Sequence, residues 1–213
     1  MLESYAAMIG PDPDAIISEM DDRASQTGFP TVGRAVGGWL TQLARMVDAH
    51  QIFEFGSGFG YSAYWFAQAL PSDGRIVLTE IDKDELDDAR SYFEQAELTH
   101  LAKFEHGDAI EIISSYSGPF DIVLIDNEKE RYVDAFRAVR EKVRPGGLVV
   151  ADNITGGPFS LEEVYGTVVN EDPVGNEAAD GIATFLTTVG SDPAFETVLL
   201  PLGEGLSISH RVE

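Results

Sequence analysis

Acidic and amide side chains follow two apolar segments of the sequence. Asp126 comes directly after the apolar run 122–125. Asp152 and Asn153 come directly after the run 148–151. Short apolar runs are typical of buried strands, and ligands bind beyond the carboxyl ends of such strands in open α/β sheets. Since hard cations such as Mg²⁺ prefer carboxylate and amide oxygens, the pattern predicts a metal site, and therefore an enzyme.

A glycine-rich turn follows an earlier apolar run. Residues 54–62 read EFGSGFGYS and join a predicted strand to a predicted helix. Glycines let the backbone turn sharply and approach a ligand closely. The G-x-G-x-G spacing departs from the G-x-G-x-x-G dinucleotide fingerprint, so a purely structural turn remains an alternative. Glu80, at the end of the next apolar run, favours a nucleoside cofactor, because a carboxylate there can accept both ribose hydroxyls.

The order of the predicted elements indicates the fold class. Strands alternate with helices from residue 51 onward, as in a doubly wound α/β fold with a mostly parallel sheet and helices on both faces. Two final β-like runs, 195–202 and 206–210, are separated by Gly203-Glu204-Gly205 and predict an antiparallel hairpin at the sheet edge. The predicted strands are 51–55, 75–81, 103–106, 120–125 and 147–151, and the predicted helices are 12–27, 33–49, 61–70, 83–97, 109–115, 130–143 and 177–190.

Length and composition limit the class of protein. The 213 residues, 44% of them hydrophobic, fit one domain over 1–213, with helices in 1–49 covering a site built by the core 50–213. No apolar run approaches the ~18 residues of a membrane span, and the first residues lack a secretory signal. We therefore expect a cytoplasmic protein without membrane partners. The absence of cysteine excludes disulfides, thiolate metal ligands and cysteine nucleophiles.

The chain is strongly acidic. Its formal net charge is −23, and only four of its fourteen basic residues are lysines. Such a field repels phosphate backbones, so we expect no nucleic-acid partner. Acidic residues are spread along the whole chain and would repel one another unless salt screened them. The composition predicts a halophilic protein from a high-salt cytoplasm.

Several segments match one enzyme family in order and spacing. They are 31–33 (TVG), 54–62 (EFGSGFGYS), 79–82 (TEID), 107–109 (GDA), 126–132 (DNEKERY), 151–153 (ADN) and 196–206 (ETVLLPLGEGL). Through them the chain resembles the metal-dependent class I S-adenosylmethionine O-methyltransferases of the catechol and caffeoyl-CoA type. The resemblance runs from about residue 25 to the carboxyl end and implies the family's Rossmann-like fold, with a seven-stranded sheet.

The resemblance also implies a cofactor site for S-adenosylmethionine. Position 32 lines its methionine end, Ser62 binds the methionine carboxylate, Glu80 binds the ribose, and Asp108 with Ala109 meets adenine. The full implied set is Val32, Glu54, Gly56, Ser57, Ser62, Glu80, Ile81, Asp108, Ala109 and Asp126.

The metal ligands implied by the resemblance are Asp126, Asp152 and Asn153. They would bind a divalent cation, Mg²⁺ first, with Mn²⁺ or Ca²⁺ as alternatives. Taken singly, Asp126 could instead cap a helix, and the pair 152–153 could open a turn. Lys129 is the predicted catalytic base, which removes the proton from a hydroxyl of a small vicinal dihydroxy aromatic substrate. The family further suggests a homodimer.

Two departures from the family concern the substrate. Glu128 stands where one branch of the family has an aromatic residue, and the glycine-containing segment 154–176 differs from the usual loop. The acceptor therefore remains open. The competing hypotheses are another nucleoside-cofactor enzyme, such as an NAD-dependent oxidoreductase, and a non-catalytic binding module.

Overall fold

The strands form one mixed sheet in a computed structural model that describes residues 2–10, 12–170, 173 and 175–213. In chain order they are β1 (Gln51–Phe55), β2 (Arg75–Glu80), β3 (Ala102–His106), β4 (Phe120–Ile125), β5 (Val143–Ala151), β6 (Phe195–Leu200) and β7 (Leu206–Arg211). The sheet order is β3-β2-β1-β4-β5-β7-β6. Strands β1 to β5 are parallel, and the β6–β7 hairpin joins β5 through antiparallel pairing of β7. The predicted fold class and edge hairpin are confirmed.

Helices cover both faces of this sheet. They are α1 (Leu2–Ile9), α2 (Ala15–Thr27), α3 (Gly33–Met46), α4 (Tyr61–Ala67), α5 (Lys83–Gln95), α6 (Ala109–Ile113), α7 (Tyr132–Val139), α8 (Leu161–Asn170) and α9 (Glu177–Ser191). Helices α2 to α5 pack on one face against side chains such as Ile52 and Leu124. Helices α6 to α9 pack on the other face of the sheet. They contact the strand residues that alternate with the first set, such as Phe53 and Val123. Alternate residues of each central strand therefore enter opposite cores, which explains the nearly continuous apolar runs.

The strand register sets the position of the site. Phe55 pairs with Thr79 on one side and with Ile125 on the other, and Ile125 pairs with Ala151. The residues that follow these partners are Gly56, Glu80, Asp126 and Asp152. Because the four strands are parallel and in register, these residues lie side by side at one edge of the sheet.

Strand β5 begins earlier than predicted. The sequence Arg-Pro-Gly-Gly at 144–147 predicts the end of a helix over 130–143, followed by a strand from 147. Helix α7 instead ends at Val139, and β5 already starts at Val143. The pairing of β5 with β4 shifts register between Phe120 and Ile122. This irregularity accommodates the glycines of 144–147 within β5.

Helix α8 lies in the segment 154–176, where no helix was predicted. Its start is a capping box: Glu163 accepts a hydrogen bond from the Ser160 N–H at 2.7 Å, and the Glu163 N–H donates to Ser160 Oγ at 3.3 Å. The S-x-x-E pattern at 160–163 indicates a helix start, but the nearby glycines disfavour a helix and so oppose this local signal. Positions 171, 172 and 174 of this segment lie outside the described residues. None of the described helices has the length and apolar character needed to cross a membrane.

Salt is expected to stabilise the fold. Even if all fourteen bases paired with acids, 37 − 14 = 23 acidic residues would remain unpaired. Screening their repulsion should outweigh the loss of surface ion pairs, which contribute little each. The melting temperature should therefore rise steeply between low salt and molar KCl. Sucrose of matched osmolality is the control for general exclusion effects. A melting temperature that does not change with KCl would contradict the prediction of a halophilic protein.

Candidate active site

A cavity of about 970 Å³ opens at the carboxyl ends of β1, β2, β4 and β5. The start of α3, the glycine turn and the β6–β7 loop complete its wall. The predicted site residues on this wall are Val32, Gly56, Ser57, Ser62, Glu80, Ile81, Asp108, Ala109, Asp126, Lys129, Asp152 and Asn153. One cavity thus brings together the predicted cofactor, metal and base positions. Glu54 lies beneath the wall, fully buried.

The glycine turn is held by Glu80. Glu80 Oε2 accepts a hydrogen bond from the Gly58 N–H at 2.8 Å, and Oε1 accepts one from the Asp82 N–H at 2.9 Å. Each carboxylate oxygen has a further lone pair for a ligand hydroxyl. At Gly56, with φ 78°, a Cβ would lie 2.5 Å from the Asp126 carbonyl oxygen, so no other residue fits.

A buried carboxyl group lies under the start of α4. The Ser62 hydroxyl donates a hydrogen bond to Glu54 Oε1, while Glu54 Oε2 has no hydrogen-bond partner in the described part of the chain. Burial raises the pKa of Glu54 to about 8, although the Ser62 hydrogen bond acts in the opposite direction. A cationic group on the cavity side of Ser62 would favour ionisation of this acid.

Three further predicted cofactor residues, Asp108, Ala109 and Ile81, form the rim near β2 and β3. Asp108 caps α6 through a 2.8 Å hydrogen bond from the Ile110 N–H, and its other oxygen pairs with Arg131 at 2.7 Å. Ala109 follows with its side chain nearly buried in the wall. Ile81 is 62% exposed, so it offers apolar surface to a flat ring.

Lys129 connects the predicted metal ligands. Its ammonium nitrogen lies 3.0 Å from Asp126 Oδ1 and 2.7 Å from Asn153 Oδ1, and donates to both. Lys129 belongs to a 3₁₀ turn that precedes α7. A Cβ at Gly181 of α9 would come within 2.5 Å of the Lys129 carbonyl oxygen, so close helix packing fixes this turn.

Asp152 is the least satisfied acid of the group. Its side chain is buried, with the residue only 3% exposed, and Oδ1 has no hydrogen-bond partner among the described residues. Burial, followed by the nearby Asp126 charge, raises the pKa of Asp152 to about 7. Burial also raises the pKa of Asp126, against the opposing effect of Lys129. Two neighbouring carboxyl groups with raised pKa values mark a functional-site candidate. A bound cation would stabilise the ionised form of both groups.

No group of three or more His, Cys, Asp or Glu side chains suited to a metal ion occurs among the described residues. The predicted ligand set has only two carboxylates, and its third oxygen comes from the Asn153 amide. Asn153 adopts φ 53°, a left-handed conformation that asparagine tolerates better than most residues.

Two further residues complete the arrangement, and the sequence interpretation assigned neither a role. The Tyr132 hydroxyl lies 2.7 Å from Lys129 Nζ and donates to the Asp152 carbonyl oxygen at 3.0 Å. Glu204 Oε2 accepts a hydrogen bond from Asn153 Nδ2 at 2.7 Å, which orients the amide oxygen toward Lys129. Tyr132 follows Lys129 by three residues, a spacing that brings side chains together on a helical turn. Glu204 lies 51 residues from Asn153, so no local signal indicates their contact.

Comparison with known sequences and structures identifies the family. The family profile described as O-methyltransferase matches residues 14–212. A catechol O-methyltransferase of Niastella koreensis is 30% identical over 201 residues, covering 92% of this chain and 86% of that protein. Caffeoyl-CoA O-methyltransferase 2 of Petunia hybrida is 26% identical over 188 residues, covering 83% and 74%.

Solved structures show the same architecture. The O-methyltransferase TomG of Streptomyces achromogenes, solved with S-adenosylmethionine, has a TM-score of 0.85 at 25% identity and covers 100% of this chain and 96% of TomG. The Bacillus cereus O-methyltransferase, solved with S-adenosylhomocysteine, also has a TM-score of 0.85, at 24% identity over 99% and 96% of the two chains. With the family profile spanning nearly all of its sequence, the chain belongs to the O-methyltransferase family.

Proposed function

We propose that this enzyme transfers a methyl group from S-adenosylmethionine to one hydroxyl of a small vicinal dihydroxy aromatic molecule, with a divalent cation bound beside the acceptor. The observation that carries the proposal is the single cavity that joins the glycine turn and Glu80 to the cluster of Lys129, Asp126, Asp152 and Asn153. Cofactor and acceptor would therefore meet within one cavity, as group transfer requires.

The cofactor end fits the chemistry of S-adenosylmethionine, which joins a nucleoside to an amino acid through a cationic sulfonium. Glu80 has lone pairs for the ribose, and Ser62 stands at the N-terminus of α4, where the first backbone N–H groups favour a carboxylate. Glu54 lies directly beneath Ser62 and would stabilise the cationic part of the ligand. The family assignment favours this cofactor over NAD.

The acceptor end fits a divalent cation. Asp126, Asp152 and Asn153 supply hard oxygen donors. Asp152 Oδ1, which has no partner within the described ranges, is a buried acceptor that a ligand would satisfy. Asp126 and Asn153 already converge on one cationic group, the Lys129 ammonium. When bound, Mg²⁺ or a similar cation would lower the pKa of a substrate hydroxyl and orient it.

A side chain of the protein would then accept the proton of the acceptor hydroxyl. The Lys129 amine, in its uncharged form, would accept the hydroxyl proton as the oxygen attacks the methyl carbon and the bond from that carbon to sulfur breaks. Tyr132 and Asn153 hold the amine in place from two sides. The Lys129 and Asp126 side chains are only 14% and 25% exposed, and such partial burial strengthens these polar contacts.

Replacing Glu80 with alanine should weaken S-adenosylmethionine binding by about 1–3 kcal/mol, the usual cost of leaving polar partners unpaired. The variant loses the ribose contact and the support of the glycine turn through Gly58. Glu80→Gln, which keeps one carbonyl acceptor, should lose less. Calorimetric titration with S-adenosylhomocysteine measures both, and unchanged affinity in Glu80→Ala would remove this residue from the site.

A direct test of the function combines binding and turnover. Calorimetric titration should detect binding of S-adenosylhomocysteine and should detect no binding of NADH. A screen of catechols, flavonoids and acyl-CoA phenols should then release S-adenosylhomocysteine from S-adenosylmethionine with at least one acceptor. Binding of NADH instead would support an oxidoreductase. Cofactor binding without turnover on any dihydroxy aromatic would support a non-catalytic module.

A further inference from the structure

The ionisable side chains that line the cavity are mostly acidic. The acids are Glu80, Asp108, Asp126, Glu128, Asp152 and Glu204, and the bases are Arg34, Lys129 and Arg131. Each base is already engaged by an acid: Arg34 pairs with Asp21 at 2.6 Å, Lys129 with Asp126 at 3.0 Å, and Arg131 with Asp108 at 2.7 Å. The five positions outside the described residues contain no basic residue that could add to this wall.

Bound ligands would not neutralise the acids evenly. Under the proposed function, a divalent cation would offset Asp126 and Asp152, and the cationic cofactor would lie near Glu80. The negative charges of Glu128 and Glu204 would remain without a neutralising ligand. Glu204 forms no ion pair within the described part of the chain and is anchored through Asn153, next to the proposed acceptor position. Glu128 is half exposed, 4.0 Å from an Arg131 that is closer to Asp108.

We propose that the acceptor carries no net negative charge, and that coenzyme A thioesters of phenols are excluded as substrates. This inference rests on the proposed function and narrows its substrate class to neutral or cationic small dihydroxy aromatics. A coenzyme A thioester carries several phosphate groups, each with about one to two negative charges at neutral pH. Such a ligand needs unengaged arginine or lysine side chains, and the wall offers Glu128 and Glu204 instead. The net charge of −23 also slows the approach of a polyanion.

The test compares acceptors that share one dihydroxyphenyl ring and differ in charge. They are dopamine (cationic), 4-methylcatechol (neutral), caffeate (anionic) and caffeoyl-CoA (polyanionic). At the lowest salt that keeps the protein folded, kcat/KM should be at least about tenfold higher for 4-methylcatechol than for caffeoyl-CoA, with caffeate between them. The ratio should shrink in molar KCl, where screening limits charge effects to about 3 Å.

Equal or faster turnover of caffeoyl-CoA would overturn the charge inference and leave the methyltransferase function intact. Failure of all four acceptors, together with failure to bind S-adenosylhomocysteine, would overturn both.

A charge reversal locates the source of the discrimination. Glu128→Lys should raise kcat/KM for caffeoyl-CoA several-fold relative to 4-methylcatechol, because it places a cation on the cavity wall. Glu196→Lys makes the same change on the exposed surface of β6, outside the cavity, and should leave the ratio between the two acceptors unchanged. An equal change of the kcat/KM ratio in both variants would show that the net charge of the protein alone sets the preference between the two acceptors. That result would contradict discrimination by the side chains of the cavity wall.

Discussion

Replacing Asp152 with alanine is expected to abolish methyl transfer and divalent-cation binding while leaving S-adenosylhomocysteine affinity nearly unchanged. The side chain would supply one of the proposed ligands, and its Oδ1 accepts no hydrogen bond from any residue that the structure describes. The proposed ribose and methionine contacts lie at the ends of β1 and β2 and on α4, and do not involve this carboxyl group. The fold should tolerate the change, because the Asp152 N–H still donates to the Ile125 carbonyl and a buried acid is removed.

Calorimetric titrations with MgCl₂ and with S-adenosylhomocysteine separate the two effects. Asp73→Ala is the matched control, since Asp73 is an exposed acid outside the cavity. Magnesium binding that survives in Asp152→Ala would remove this residue from the metal site. Loss of cofactor affinity would instead assign it a structural role.

Replacing Lys129 with methionine should lower turnover by about 10²–10⁴, the usual contribution of a positioned proton acceptor. Methionine keeps much of the length of the side chain but cannot take a proton. Cation and cofactor binding should persist, because Asp126 and Asn153 retain their oxygens and the bound cation replaces the ammonium as their partner. The rate should recover partly at high pH, where hydroxide can remove the proton from the acceptor.

Lys83→Met, at an exposed lysine paired with Asp87, is the control for the same chemical change. Initial rates across pH, with magnesium and cofactor affinities measured in parallel, distinguish the roles. Wild-type turnover of Lys129→Met at neutral pH would show that the cation alone activates the acceptor. A variant that binds neither ligand would show that Lys129 is structural.

The central strands could be predicted closely because their apolar runs are buried on both faces. Strands β1 and β4 begin and end at the predicted residues, and the other predicted strands are found with shifted ends. The start of β5 depends on pairing with β4 through a register shift, which the local sequence does not encode. Helix α8 has a local signal, the capping box of Ser160 and Glu163, but the neighbouring glycines disfavour a helix, so the local sequence of this segment is ambiguous.

The site could be predicted only in part from local sequence. Asp126 and Asp152 follow apolar runs, and parallel register places them together. The hydrogen bonds of Lys129 to Asn153, and of Asn153 to Glu204, depend on tertiary packing, whereas the Lys129–Tyr132 contact spans only three residues. Side chains that meet across 24 or 51 residues leave no periodic pattern in the sequence.

The metal-assisted transfer itself is tested most directly by the initial rate of S-adenosylhomocysteine release from S-adenosylmethionine with 4-methylcatechol as acceptor. The rate should be high with MgCl₂, fall to background with excess EDTA, and return when MgCl₂ is restored. A monohydroxy analogue, 4-methylphenol, should support little release, because it offers one oxygen where the cation would bind two. Equal rates with MgCl₂ and with EDTA would contradict metal-assisted transfer at Asp126, Asp152 and Asn153.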